Sequence, residues 1–540
     1  MDEALPPPDL LEAIPRYRID RTVTDRDLVF AFAGSTSGGL FATALERATV
    51  ARSSWDPGGY SADLFLERFV REQMALEPGQ GALAAPGHLL RAIATPPDDP
   101  STIELRRNVL AELSTTPALF QALQLVHRKL LLLKNLVEGT GGKLDVSRRQ
   151  LEILIAFRHV VERLADFGGA TSALARLAGF AQRVQAGEGF SALLALLSYE
   201  EQSATLDFRV QLGADGRVRQ LDLIGVAESR QSPFWNTPVR RWLAKLELVL
   251  RGYRFGDGEV MARLLDAVFE GVRPEFPAMV QMLGDVEFYL AALAFQRRVT
   301  QAGLAVCLPD FVPSDTPRLL DGLFNPLLLG AGGKTPVPCR LESDRHDTTL
   351  LITGPNSGGK TRLLQAVGLA QLLAQAGLFV PARSAKMSLA SGLLVSLIQE
   401  TSADQPEGRL GMELLRIRSL FERLPVGAIV ILDELCSGTN PSEGEEIFEL
   451  VVRMLARLRP QAYITTHFLE FAARLAKSGH IGELRYLQVA LGPDAEPTYQ
   501  FEPGVAKTSL AGQAAKRLGV TGDQLLALID QKLAVAHARR

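Results

Sequence analysis

Residues 350–365 read LLITGPNSGGKTRLLQ, and no other stretch restricts the fold so tightly. Leu350, Leu351 and Ile352 suit a buried strand, a glycine-rich turn follows, and Arg362 to Leu373 suit a helix. The pattern Gly354-x-x-x-x-Gly359-Lys360-Thr361 between them is that of a phosphate-binding loop. Its glycines let backbone N–H groups curl around phosphate oxygens without Cβ clashes. The helix behind it presents an N-terminus that attracts anions. Lys360 would place its charge on the β and γ phosphates, and the Thr361 hydroxyl would ligate Mg²⁺. The expected nucleotide-holding residues are therefore Gly354, Pro355, Asn356, Ser357, Gly358, Gly359, Lys360 and Thr361, with ATP and Mg²⁺ as cofactors. The plainer alternative is a glycine-rich structural turn.

A phosphate loop alone hydrolyses nothing. It needs a carboxylate at the end of a neighbouring buried strand to organise the metal and the attacking water. GAIVILDELCSGTNPSEG has that form: Ala428 to Leu432 is wholly apolar, as a central parallel strand is. Asp433 at its end would bind Mg²⁺, and Glu434 would orient or deprotonate the water. Two adjacent carboxylates could instead be a solvated turn. A third strand follows in QAYITTHFLEF, with His467 just past its end, where a switch histidine would meet the γ phosphate. A lone histidine there is usually a surface residue. In this order the trio points to an ABC-type ATPase, with Glu434, His467 and Lys360 catalytic and Thr361 and Asp433 on the metal.

Composition sets the frame. At 540 residues the chain implies several domains, and 47% hydrophobic with 22% charged residues is ordinary globular usage. A net charge of −3 supplies no general attraction to nucleic acid, so any such surface must be local. Cys307, Cys339 and Cys436 have neither metal nor disulfide spacing, which implies a reducing compartment. Cys436, beside the carboxylate pair, reads as packing. The start, MDEALPPPDLLEAIPRYRID, is acidic and proline-rich rather than a secretory signal. No apolar run approaches membrane length, so no membrane partner and a cytoplasmic location are expected.

Along the chain, residues 1–85 suggest no chemistry. From Pro86 the text is helical: STIELRRNVLAEL and RRQLEILIAFRHVVERLADF repeat apolar residues at three- and four-residue spacing. Residues 204–225 alternate apolar and polar around Gly213-Ala214-Asp215-Gly216, a hairpin signal. Helical text then returns until the proline-rich LPDFVPSDTP. Beyond Thr348, strand and helix patterns alternate, which predicts an α/β sheet with crossover helices. The tail reads as two short helices broken at Gly519 to Gly522.

Taken together, these motifs resemble the MutS family of DNA mismatch repair ATPases. TGPNSGGKT looks like that family's loop, with the distinctive pair Pro355-Asn356. Asp433, Glu434, Gly438, Thr439 and Gly444 match its second segment, and TTHF its switch. The tail YQFEPGVAKTSLAGQAAKRLGV, the stretch LLRAIATPPDDPSTIELRRNVLAEL and LGDVEFYLAALA are similar to further parts. The resemblance implies a multidomain chain: a helical core or lever over 86–310 with a small β-containing clamp near 200–255. An ABC-type P-loop ATPase domain over 311–500 and a C-terminal helical dimerisation segment over 501–540 would follow, with 1–85 unassigned. Arg209, Arg217 and Arg219 on the hairpin would touch phosphates or form its solvated face.

Three departures stand out. Phe65-Leu66-Glu67 has the letters of a mismatch wedge but lies in a helical-looking run, so no N-terminal mismatch-recognition domain is expected. QPEGRLGMELLRI keeps Gly408 and the Met412-Glu413 pair of the signature loop but has no Ser, leaving Arg409 to substitute or trans hydrolysis weak. No Smr domain is expected, the sequence stopping at Arg540, although TNPSEG and THFLE look nearer to the second bacterial paralogue. The expected function is an ATPase driving a homodimeric clamp, closed through its ATPase domains, on mismatched, branched or flexible DNA in repair or recombination control. The alternatives are a nucleotide-dependent interaction module with little turnover, or an ATPase on ribosomal or structured RNA.

Overall fold

The computed structural model describes residues 6–538 apart from 36–37, 78, 80, 140–145, 202–204, 213–217, 228–256, 331–334, 356, 398–408, 437–439, 494–495 and 508–519. The chain packs into two compact units, each assembled from separate segments. Unit 1 holds Met1–Thr49, Pro78–His88 and Asn108–Leu290; unit 2 holds Val50–Glu77, Leu89–Arg107 and Ala291–Arg540. The chain thus enters unit 2 twice before residue 108, where the sequence boundaries at 85 and 310 mark one passage each. Helical periodicity shows which face of a helix is buried but not which neighbour buries it.

Unit 1 is mainly helical. The helix Pro117–Glu138 starts with proline at a first-turn position, where the missing N–H costs nothing. It buries Leu119, Leu123, Val126, Leu130, Leu133 and Val137, one stripe at helical spacing. The next helix, Val146–Leu164, packs beside it and buries Leu154, Phe157 and Val161. Aromatic stacking fills the core: Phe157 lies 4.7 Å from Phe276, and Phe32 lies 3.8 Å from Phe269. The alternating segment forms an antiparallel hairpin of β1 (Thr205–Leu212) and β2 (Val218–Ala227), with Gln211 opposite Gln220.

The first residues of the chain, silent in the sequence, are pinned to residues 276–290 of the helix Phe276–Gln301, the part of it that belongs to this unit. Leu10 N donates to Asp285 Oδ2 at 2.9 Å, Arg18 N to Gln281 Oε1 at 2.7 Å, and Tyr289 Oη to Leu10 O at 2.5 Å. The Arg18 guanidinium bonds the Asp285 carboxylate and lies 3.4 Å from Asp9. Burial raises the Asp285 pKa to about 6 even though Arg18 opposes it. Removing this carboxylate leaves Arg18 with Asp9 alone. Asp285→Ala is expected to cost about 3 kcal/mol, seen as an earlier thermal transition, and an unchanged transition would contradict the anchoring role.

The stretch Leu264–Gln301 departs from one expectation: it is long and apolar enough to cross a membrane, and its apolar window is wholly buried in the molecule. Packing against protein accounts for its hydropathy.

Unit 2 contains two sheets. A four-stranded sheet orders β3 (Asp310–Phe311), β7 (Ser384–Met387), β4 (Arg318–Leu323) and β5 (Cys339–Ser343). The larger, six-stranded sheet runs β12 (Pro497–Pro503), β11 (Leu484–Leu491), β6 (Thr349–Thr353), β10 (Gln461–Thr465), β9 (Ile429–Leu432) and β8 (Leu393–Ser396). Its strands are parallel except β12, which pairs antiparallel with β11. Every residue of β6, β9 and β10 is buried, as strands covered on both faces must be. The expected alternation beyond Thr348 is therefore present.

The edge strand β8 does not end in solvent. Residues of the 50–77 segment flank it: Trp55 Nε1 donates to Ala390 O at 3.2 Å and Ser54 Oγ to Ser391 O at 2.9 Å just before the strand, and Asp63 Oδ1 accepts from Leu397 N at 2.7 Å just after it. A Cβ on Gly59 would come within 3.0 Å of Leu394 Cδ2, so glycine allows the approach. Covering an edge in this way removes a template for unwanted strand pairing. Phe65 sits in the left-handed region at φ 49 as the cap of the helix Leu66–Gln73, the helix expected at that position.

Candidate functional site

In a parallel sheet, ligands gather at the carboxyl ends of the strands. Three adjacent strands, β6, β10 and β9, bring the sequence motifs to one such end. Thr465 pairs with Ile352 and Ile464 with Leu432, so the three exits lie side by side. The glycine-rich loop leaves β6, the Asp433-Glu434 pair leaves β9, and His467 follows β10.

The loop runs directly into the helix Lys360–Gln375, expected over Arg362 to Leu373. Gly359 caps it at φ 86 and Gly354 lies at φ 142, conformations that L side chains seldom adopt. A Cβ on Gly354 would lie 2.6 Å from Val489 Cγ2, and one on Gly358 would lie 2.8 Å from the same atom. Lys360 is 4% exposed, and its Nζ donates to Gly354 O at 2.9 Å and Pro355 O at 3.2 Å. Burial lowers its pKa, while Glu434 and then Asp433 act to raise it.

The opposite wall is built on Asp433. Thr361 Oγ1 donates to Asp433 Oδ2 at 2.5 Å, joining residues 72 apart in sequence. Thr465 holds the other side: its hydroxyl donates to Asp433 Oδ1 and accepts from Glu434 N at 2.9 Å. One buried hydroxyl therefore sets both the Asp433 carboxylate and the Glu434 backbone. Glu434 has φ 48, a strained conformation for a residue with a side chain. Burial pushes the Cys436 thiol up to about 12, which fits its reading as packing.

These groups suit an Mg²⁺-nucleotide. A hydroxyl and a carboxylate oxygen side by side are hard donors, and Mg²⁺ on a nucleotide needs only one or two protein carboxylates. Among the described residues there is no cluster of three or more His, Cys, Asp or Glu that could cage a metal by itself. The glycine cradle, the helix N-terminus and the buried lysine match a polyphosphate.

His467 is exposed two residues past β10, with its ring 4.2 Å from that of Phe468. The structure brings Gly354, Pro355, Ser357, Gly358, Gly359, Lys360, Thr361, Asp433 and Glu434 to the same strand ends. Asn356, Gly408, Gly438, Thr439 and Arg217 lie outside the described residues. Arg209 and Arg219 fall on the paired strands β1 and β2, in unit 1. Two neighbours of the site went unread in the sequence. In the sequence Thr465 is only one letter of TTHF. Tyr499, half exposed at φ 59 on β12, lies with Cδ1 3.1 Å from where a Gly359 Cβ would be. Nothing local marks either one; strand order alone places them.

Comparison with known proteins agrees with this geometry. The family profile described as MutS domain V matches residues 350–532. The chain is similar to Endonuclease MutS2 of Thermomicrobium roseum, 32% identical over 44% of this chain and 30% of that protein. The protein of the same name from Streptococcus thermophilus is 28% identical, over 48% and 32% of the two chains. That of Streptococcus mutans is 30% identical, over 44% and 29%. The match spans about a third of the length of each relative. The phosphate loop, the carboxylate pair and the strands that carry them lie inside the matched segment, so residues 350–532 are similar to a MutS domain V.

Proposed function

We propose that this chain is an ATPase that binds Mg²⁺-ATP at the carboxyl ends of β6, β9 and β10 and uses its hydrolysis to drive a dimeric clamp on DNA. The observation that carries the reading is the Thr361–Asp433 contact at 2.5 Å, with Lys360 beneath the loop and Glu434 next in sequence. Lys360 exchanges the loop carbonyls it now holds for the β and γ phosphates, and the helix N-terminus adds its dipole. Thr361 and Asp433 would hold the metal, which would supply positive charge to offset that of the phosphates. Glu434 orients the attacking water and accepts its proton, and His467 approaches the γ phosphate from the β10 exit.

Tyr499 lies over the glycine cradle, so its ring suits a platform for the base or ribose. Tyr499→Ala is expected to weaken ATP binding by about 1–3 kcal/mol, the range for stacking on one base. Equal affinity for GTP and ATP in both proteins, with no loss in the variant, would contradict that role.

Dimerisation is supported by the C-terminal helix Gly522–Ala538. Leu525, Leu526, Leu528 and Ile529 are 42–58% exposed, an apolar surface that a second copy would cover. The helical core over 86–310 is assigned as lever, and the hairpin near 200–255 as a reduced clamp. A clamp needs no base reading to prefer flexible or branched duplex, because deformability is itself an energy difference. The relatives' name, Endonuclease MutS2, fits a DNA substrate.

Turnover measured without nucleic acid and with perfect duplex, mismatched duplex, four-way junction and structured RNA tests the reading. Stimulation by duplex or junction supports it. No turnover under any condition would leave a nucleotide-dependent interaction module, and stimulation by RNA alone would move the substrate. A monomeric mass with ATP bound would count against the dimer.

A further inference from the structure

We propose that Asp63, in a segment to which the sequence assigns no chemistry, is a positioning residue of the nucleotide site. The proposal rests on the Mg²⁺-ATP reading above and extends it to the residues that flank β8. All the contacts lie within unit 2.

The decisive element is one peptide group, that between Ser396 and Leu397 at the end of β8. Its N–H donates to Asp63 Oδ1 at 2.7 Å, and its C=O accepts from Asp433 N at 3.0 Å. A peptide group is planar and rigid, so fixing its N–H fixes the direction of its carbonyl. Hydrogen bonds in such a chain also polarise one another, and the negative Asp63 strengthens the acceptor that holds Asp433. Asp433 in turn receives Thr361 and Thr465 on its two oxygens. Asp63 thus sits one peptide away from the carboxylate expected to hold the metal.

The same stretch touches the other wall. Asp63 O accepts from Gln365 Nε2 at 3.5 Å, and Gln365 Oε1 accepts from Arg362 Nη1 at 2.8 Å, directly after Thr361. Leu64 is fully buried against Gly368 of the phosphate-loop helix, where a Cβ would lie 2.7 Å from Leu64 Cδ2. Asp56 pairs with Arg423 at 2.5 Å, and Gly59 lies against β8. Residues 54–64 therefore lie against both the strand that supports Asp433 and the helix that carries Lys360 and Thr361.

Asp63 itself is half-buried, so it can be changed without emptying the core. The test compares full-length wild type, Asp63→Ala and Asp63→Asn by kcat, KM for ATP, Mg²⁺ titration and thermal transition. D63A is expected to lower kcat about tenfold, the lower end for losing a supporting hydrogen bond to a metal site. KM and the thermal transition stay near wild type, and more Mg²⁺ is needed for half-maximal rate. D63N retains an amide oxygen that accepts from Leu397 N–H, so it stays within about twofold of wild type.

D63A as active as wild type would overturn the proposal. So would D63N as impaired as D63A, or loss of the D63A thermal transition, which marks a fold residue rather than a positioning one. If wild type itself turns over no ATP, hydrolysis is refuted separately. The Asp63 role is then read from Mg²⁺-dependent binding of a fluorescent ATP analogue, where equal Mg²⁺ dependence in D63A and wild type overturns it.

Discussion

Replacing Glu434 by glutamine is expected to slow the proposed ATP turnover by about 10²–10⁴-fold, the usual worth of a positioned general base, and to leave ATP binding intact. The reason lies in how the residue is held. Its backbone N–H donates to Thr465 Oγ1 at 2.9 Å, an anchor that does not involve its side chain, and its φ is 48. Glutamine has the same shape and leaves the anchor in place, but it cannot take a proton from water. Burst and steady-state phosphate release, with a fluorescent ATP analogue for binding, separate the two effects. E434Q turning over within twofold of wild type would remove Glu434 from the chemistry. Loss of binding would show that it holds the ligand instead.

The second large effect is at Lys360. Lys360→Met is expected to weaken ATP binding by about 2–5 kcal/mol, the cost of deleting one partner of a buried charge pair. That is at least about thirtyfold in Kd. The apo protein should not suffer. Burial holds the folded pKa of Lys360 below its ordinary value, so any stability from this group exists above the unfolded pKa and is lost as pH falls through the folded one. At neutral pH the buried ammonium is therefore a cost to the nucleotide-free fold. Methionine fills similar volume without that cost, so the apo thermal transition of K360M stays level or rises. Calorimetric titration with Mg²⁺-ATP beside a thermal scan tests both halves, and unchanged affinity would refute the assignment.

The tertiary structure changes the meaning of the first hundred residues. Their segments fall into both units, with Asp9 and Arg18 against Asp285 in one, and Trp55 and Asp63 against β8 in the other. Neither contact has a sequence signature, because each joins residues more than 250 positions apart. Thr465 and Tyr499 were missed for the same reason: what they touch depends on strand order and not on their neighbours in the chain.

By itself, the sequence determined the local pieces of the candidate site. The glycine spacing of 354–359, the lysine and threonine after it, and the carboxylates ending the apolar run 428–432 are local patterns. Each is written in a few consecutive residues, because backbone conformation, helix start and strand burial are set at short range. Only the tertiary structure decided which parts meet. It placed β10 between β6 and β9, set Thr361 against Asp433, folded Tyr499 over the cradle, and set Gly59 and Asp63 beside β8 and its end. Pairing of this kind depends on non-local burial and on backbone groups that every residue shares, so no local pattern records it.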